Sequence, residues 1–84
     1  MLILYTKPRC KFCEMAKEYL KERDVSYRVV DVAQDDNARQ FLRDQGHSTV
    51  PQIYCGDMLF VDGGAEDLIK MSEEEFFRRY EEFG

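Results

Sequence analysis

The 84-residue chain has no tryptophan, three cysteines, two prolines and a single histidine. Three cysteines are too few, and too odd a number, for the disulfide framework that small secreted proteins use in place of a large core. A reducing compartment, the cytoplasm, is the expected setting. Long apolar runs are also missing. The first run is only Leu2 to Tyr5, with no basic region ahead of it, so neither a secretory signal nor a membrane span fits. The chain contains no internal repeat, linker or low-complexity stretch. A chain of this length buries roughly 60–65% of the surface that its unfolded form exposes. One modest core, in a single domain over residues 1–84, is expected.

Positive charge is in deficit, with 12 basic against 17 acidic residues and a net charge of −5. Phosphate backbones require a basic stripe, so nucleic acid is not an expected partner. The deficit is uneven. Residues 7–11 hold Lys7, Arg9 and Lys11 with no acid, a local +3, whereas residues 12–65 and 66–84 are each net −4. A basic spot on an acidic protein suits a small anion.

The 44% of residues that are apolar are arranged as alternating short strands and helices. Leu2-Ile3-Leu4-Tyr5 is continuously apolar and is ended by Thr6-Lys7-Pro8, as expected of a strand buried on both faces at the centre of a sheet. From Lys11 to Arg23, Phe12, Met15, Ala16, Tyr19 and Leu20 recur at helical spacing opposite charged residues, which predicts an amphipathic helix. Tyr27 to Val32 returns to β character, so the first three elements form a βαβ unit with parallel strands. A second helix is expected from Asp36 to Gln45, with Ala38, Phe41 and Leu42 inward and Gly46 as its stop. Gln52–Tyr54 and Met58–Val61 flank Cys55-Gly56-Asp57, a hairpin signal. After Gly63-Gly64 come a short helix, Ala65 to Met71, and the capping box Ser72-Glu73-Glu74-Glu75, which opens a last helix with Phe76, Phe77, Tyr80 and Phe83 on one stripe. The fold class expected is α/β, with a four-stranded mixed sheet flanked by helices.

Reactive chemistry concentrates at Cys10-Lys11-Phe12-Cys13. A C-x-x-C directly after a strand, opening the helix of a βαβ unit, is the redox placement rather than that of a zinc ribbon. The first helical turn offers unpaired N–H groups and about half a positive charge, which favour a thiolate at Cys10. Lys7, Arg9 and Lys11 lie near enough in sequence to add to this. Cys10 is therefore the expected nucleophile, and Cys13, one turn further in and within disulfide reach, the expected resolving thiol. Zinc held by Cys10, Cys13, His47 and Cys55 is disfavoured, because His47 and Cys55 are loosely spaced with a strand between them. No bound metal is expected. His47 alone reads as a surface loop residue, and Cys55 as an incidental thiol at a hairpin corner.

Three segments, Tyr5-Thr6-Lys7-Pro8-Arg9-Cys10-Lys11-Phe12-Cys13, Ser48-Thr49-Val50-Pro51-Gln52-Ile53-Tyr54 and Gly63-Gly64-Ala65-Glu66-Asp67-Leu68, occur in an order and at intervals that resemble the dithiol glutaredoxins over nearly the whole chain. The resemblance implies a thioredoxin-like fold with strand order 2-1-3-4. It further implies glutathione-dependent thiol–disulfide exchange, with glutathione as co-substrate. Pro51 matches the family's cis-proline, a geometry that leaves the Val50 backbone N–H and C=O free to pair with a substrate like an added strand. Lys7 matches the lysine that holds the glycine carboxylate of glutathione. Gly64 matches a position of close backbone approach, the N–H groups of Ala65 and Glu66 would take the γ-glutamyl carboxylate, and Asp67, with Glu66, the γ-glutamyl amine. Arg9, Lys11, Phe12 and Thr49 complete the glutathione-binding set. The family's usual Pro-Tyr between the cysteines is here Lys11-Phe12, which adds a charge and keeps the aromatic wall. Arg39 and Gln40 fall where the family often has a second carboxylate-binding side chain.

The family's partners are disulfide-containing or glutathionylated proteins, with ribonucleotide reductase a common client, and a monomer is expected. Other readings share some of these residues. A glutaredoxin-like redoxin reduced by thioredoxin reductase would share C-x-x-C and Thr49-Val50-Pro51 and donate electrons to ribonucleotide reductase. A metal carrier would hold zinc through Cys10, Cys13, His47 and Cys55, or an iron–sulfur cluster bridged between two protomers by Cys10 and glutathione. A binding module would use the acidic C-terminal helix.

Overall fold

A computed structural model describes residues 1–83. Its elements are β1 (Leu2–Thr6), α1 (Lys11–Glu22), β2 (Tyr27–Asp31), α2 (Asp36–Asp44), β3 (Gln52–Cys55), β4 (Met58–Leu59), α3 (Gly64–Lys70) and α4 (Glu73–Phe83). The four strands form one sheet in the order β2-β1-β3-β4. β1 runs parallel to β2, with Leu4 opposite Val29, and antiparallel to β3, with Leu4 opposite Ile53. The apolar run of β1 thus lies at the centre, where its residues serve two faces alternately. Leu2 and Leu4 are buried with Ala16, Leu20, Ile53, Phe60, Leu68 and Phe76. Tyr5 is buried on the other face with Ala38, Leu42 and Tyr54. Helices α1 and α3 cover the first face and α2 the second, which explains why β1 shows no polar alternation.

Two expectations change on contact with the structure. Phe12, grouped by its spacing with the inward side of α1, is 46% exposed. It stands in the first turn, beyond the edge of the core that Ala16, Tyr19 and Leu20 reach. The strand expected over Met58–Val61 is only two residues long. Phe60 donates its N–H to Ile53 O at 2.9 Å, and the side chains of Phe60 and Val61 then turn into the core. Burying those side chains wins over extending the ladder, because one aromatic ring removes far more apolar surface from water than one further strand pair.

Helix α2 ends as its sequence demands. Gly46 adopts φ +87°, its N–H donates to Arg43 O at 2.9 Å, and the N–H of His47 donates to Leu42 O at 2.9 Å. These two bonds form a Schellman closure, which needs the left-handed conformation that glycine supplies at no steric cost. The closure fixes where Arg43 and His47 stand.

Candidate active site

Chain reversal after β1 is made by Lys7-Pro8-Arg9, with Arg9 itself at φ 59°. Cys10 follows as the N-cap of α1, with extended backbone (φ −110°, ψ 109°). Its Sγ accepts the N–H of Cys13 at 3.2 Å, and its carbonyl accepts the N–H of Glu14 at 3.1 Å. A side chain normally caps a helix with oxygen. Here sulfur takes that place, so one unpaired donor of the first turn is aimed at the reactive atom. Cys10 Sγ also lies 3.9 Å from Val50 O, contributed by the loop that precedes β3.

The two thiols are placed unequally. Cys10 retains 9% of its surface, whereas Cys13 has none. Burial pushes the Cys13 thiol up, and neighbouring Cys10 adds to this, while the Thr6 hydroxyl and the Lys7 backbone act the other way. Cys13 is thus a protonated thiol behind an outward-facing partner. All three cysteines are free thiols.

The Val50–Pro51 peptide bond is cis. Two clefts meet at this loop. One, of about 450 Å³, is walled by Phe12, Thr49, Val50 and Pro51 and by Asp62, Gly63, Gly64, Ala65 and Glu66. The other, of about 300 Å³, is walled by Lys7, Arg39, Arg43, Ser48, Thr49 and Val50. His47 lines both. The α3 side of the groove carries the carboxylates Asp62 and Glu66 and no cation, and the α2 side carries Lys7, Arg39 and Arg43 and no carboxylate. The groove therefore changes sign across Val50.

Of the residues singled out from sequence, Lys7, Phe12, Thr49, Val50, Pro51, Gly64, Ala65 and Glu66 converge on this groove together with Cys10. Arg9 and Lys11 are exposed and line neither cleft. Asp67 also lies outside both, because its carboxylate folds back into the space that a side chain on Gly63 would occupy, at the start of its own helix. Arg39 does line the α2 side, where it pairs with Asp36 and donates to Val32 O at 3.2 Å. His47 is no idle loop residue: its Nε2 is 2.8 Å from the buried Tyr54 hydroxyl, and their rings meet edge-on at 5.8 Å. Neither this contact nor the position of Arg43 has a signal in local spacing; only the Schellman closure of α2, foreshadowed by Gly46, points towards them. Among the described residues no group of three or more His, Cys, Asp or Glu side chains is placed to hold a metal ion, and Cys55 packs on the opposite face of the sheet from the His47–Tyr54 pair.

Two thiols at the outlet of the central strand of a β2-β1-β3-β4 sheet, faced by a cis-proline loop, define a thiol oxidoreductase of thioredoxin-like fold. The sequence model of the Glutaredoxin family matches residues 2–60, a span that includes both thiols and Val50–Pro51 and stops before α3. The chain belongs to the glutaredoxin family. Among its relatives, glutaredoxin 1 of Rickettsia prowazekii is 33% identical over 76 residues, which cover 87% of this chain and 78% of that protein. The crystal structure of a buckwheat glutaredoxin–glutathione complex superposes with a TM-score of 0.77 at 20% identity, covering 99% of this chain and 78% of that one. The NrdH-redoxin of Escherichia coli, described as a glutaredoxin-like protein with a thioredoxin-like activity profile, superposes with a TM-score of 0.69 at 21% identity over 84% of this chain and 93% of that one. Both structures share the fold.

Proposed function

We propose that this chain is a glutathione-dependent thiol–disulfide oxidoreductase that reduces protein disulfides and protein–glutathione mixed disulfides. The observation that carries the reading is the change of sign across Val50. Glutathione has an amine and a carboxylate at one end and a lone carboxylate at the other, separated by the cysteine whose sulfur must reach Cys10. Lys7, with Arg39, suits the lone carboxylate, while the N–H groups of Ala65 and Glu66 suit the other carboxylate and Glu66 the amine. Asp67, at the start of α3, would reach the amine by swinging off Gly63. The complex formed by the buckwheat relative supports glutathione as co-substrate.

In this mechanism the Cys10 thiolate attacks one sulfur of the substrate disulfide, forming a mixed disulfide and expelling the other sulfur as thiolate. The Cys13 thiol then loses its proton and attacks Cys10 Sγ, closing the Cys10–Cys13 disulfide and releasing the substrate's second thiolate. One glutathione thiolate reopens that disulfide by attacking Cys10. A second removes the glutathione from Cys10 as oxidised glutathione, and two electrons have passed to the substrate. Val50 would pair with the backbone of the bound cysteine as an added strand. A mixed disulfide with glutathione needs only Cys10 and external glutathione.

The test is a glutathione-coupled turnover assay. Cys10→Ser should abolish activity on every disulfide, whereas Cys13→Ser should retain turnover of glutathionylated protein and lose that of protein disulfides. Full reduction by thioredoxin reductase with no response to glutathione would refute glutathione dependence and favour a redoxin of the other kind.

A further inference from the structure

The α2 side of the groove holds more positive charge than glutathione needs. The lone carboxylate at one end of glutathione can engage Lys7 and Arg39, but Arg43 lines the same cleft. Among the described residues, neither Lys7 nor Arg43 has an ion-pair partner, while Arg39 is paired with Asp36. On a protein with five more acids than bases, this cleft is lined by three cations, Arg39 among them paired with Asp36, and by no carboxylate. The backbone fixes where they stand. Arg43 sits in the last turn of α2, and its carbonyl accepts the N–H of Gly46. His47, the next residue of the same closure, is fixed by the Tyr54 hydroxyl. The cleft opens at Val50, whose carbonyl faces Cys10 Sγ, so a chain held at Cys10 would run directly into it.

We infer that this cleft is a docking site for acidic polypeptide, and that Arg43, with Lys7, selects protein disulfides whose reactive cysteine is flanked on one side by aspartate or glutamate. The inference rests on the oxidoreductase reading above and names its substrate class. Opposite charges at an exposed rim act chiefly on encounter and on specificity, each contributing modestly and screened by salt.

The experiment uses three disulfide-bonded peptides that differ only in two residues next to the cysteine, Asp-Glu, Ser-Ser or Lys-Lys, and compares their kcat/KM with the reduced protein at neutral pH. At low ionic strength the acidic peptide should exceed the neutral one by about five- to tenfold, with the basic peptide slowest. That ratio should collapse towards one at about 1 M salt, where the screening length is only ~3 Å. Arg43→Glu should bring the ratio to one or invert it, with the neutral peptide serving as the reference within each variant. Equal rates for the three peptides, or a preference that survives both salt and Arg43→Glu, would overturn the inference while leaving the oxidoreductase reading intact. Failure to reduce even the neutral peptide would instead refute that reading.

Discussion

Gly64 shows how one residue can set the width of a groove. It adopts φ +64°, and a Cβ placed there would lie 2.9 Å from the Pro51 carbonyl. The partner is backbone, so relief requires the cis-proline loop to move. Gly64→Ala is therefore expected to cost about 1–2 kcal/mol from the left-handed conformation alone, read as a lower midpoint in urea. A raised KM for glutathionylated substrate should accompany it, because Pro51 and Gly64 are facing walls of one cleft. Unchanged stability and KM would mean that the loop yields freely. At this scale, what was legible beforehand is what local spacing encodes. Cys10 and Cys13 are three residues apart, and one helical turn brings them together. Arg43 and His47 were invisible as groove residues, because their placement depends on a helix terminus and on a tyrosine seven residues further on, in β3.

Elements start and stop here for reasons that were largely readable. Asp35 caps α2 by accepting the N–H of Ala38 at 3.0 Å. Ser72 caps α4 by accepting the N–H of Glu75 at 3.1 Å, one residue before the fully buried Phe76. Ser72→Ala should lower stability by about 0.5–2 kcal/mol, measured as a drop in Tm. No loss would show that the packing of Phe76 alone sets the start of the helix. Phe12 and β4 were misjudged for one shared reason. Periodicity reports what an element would bury if it were long and fully covered, whereas Phe12 overhangs the first turn of α1 and β4 surrenders its last residues to the core. Exposed at the helix start beside the reactive thiol, Phe12 instead takes the wall position that the family resemblance gave it.

Over the whole molecule, burial of acids with late protons shapes the response to pH. The Cys13 thiol and the phenols of Tyr5, Tyr19 and Tyr54 are all held above their ordinary values of 9.0 and 10.0, in each case chiefly by burial. A raised value means that the native protein keeps its proton when the unfolded chain has lost it. The stability these groups contribute is complete below the ordinary values and is lost as pH climbs through the raised ones. The midpoint of urea unfolding should thus hold steady from pH 7 to about 8.5 and fall above about 9. Cys13→Ala should begin its decline later, since the thiol has the lowest ordinary value of the four. A midpoint rising between pH 8 and 10 would contradict this account. The sheet order was legible through the family resemblance, and the central place of β1 through its unbroken apolar run.

The antiparallel ladder between β1 and β3 has a further consequence, one of time. Both thiols belong to the first thirteen residues, but the carbonyl that faces Cys10 comes from Val50, and only the pairing of Tyr5 with Gln52 and of Leu4 with Ile53 brings it there. Such a distant contact forms late, since a long loop must close before it forms. A chain emerging from the ribosome therefore displays its two thiols well before the carbonyl that comes to face Cys10. During that interval Cys10 lacks its Val50 neighbour, and the groove is complete only when β3 docks.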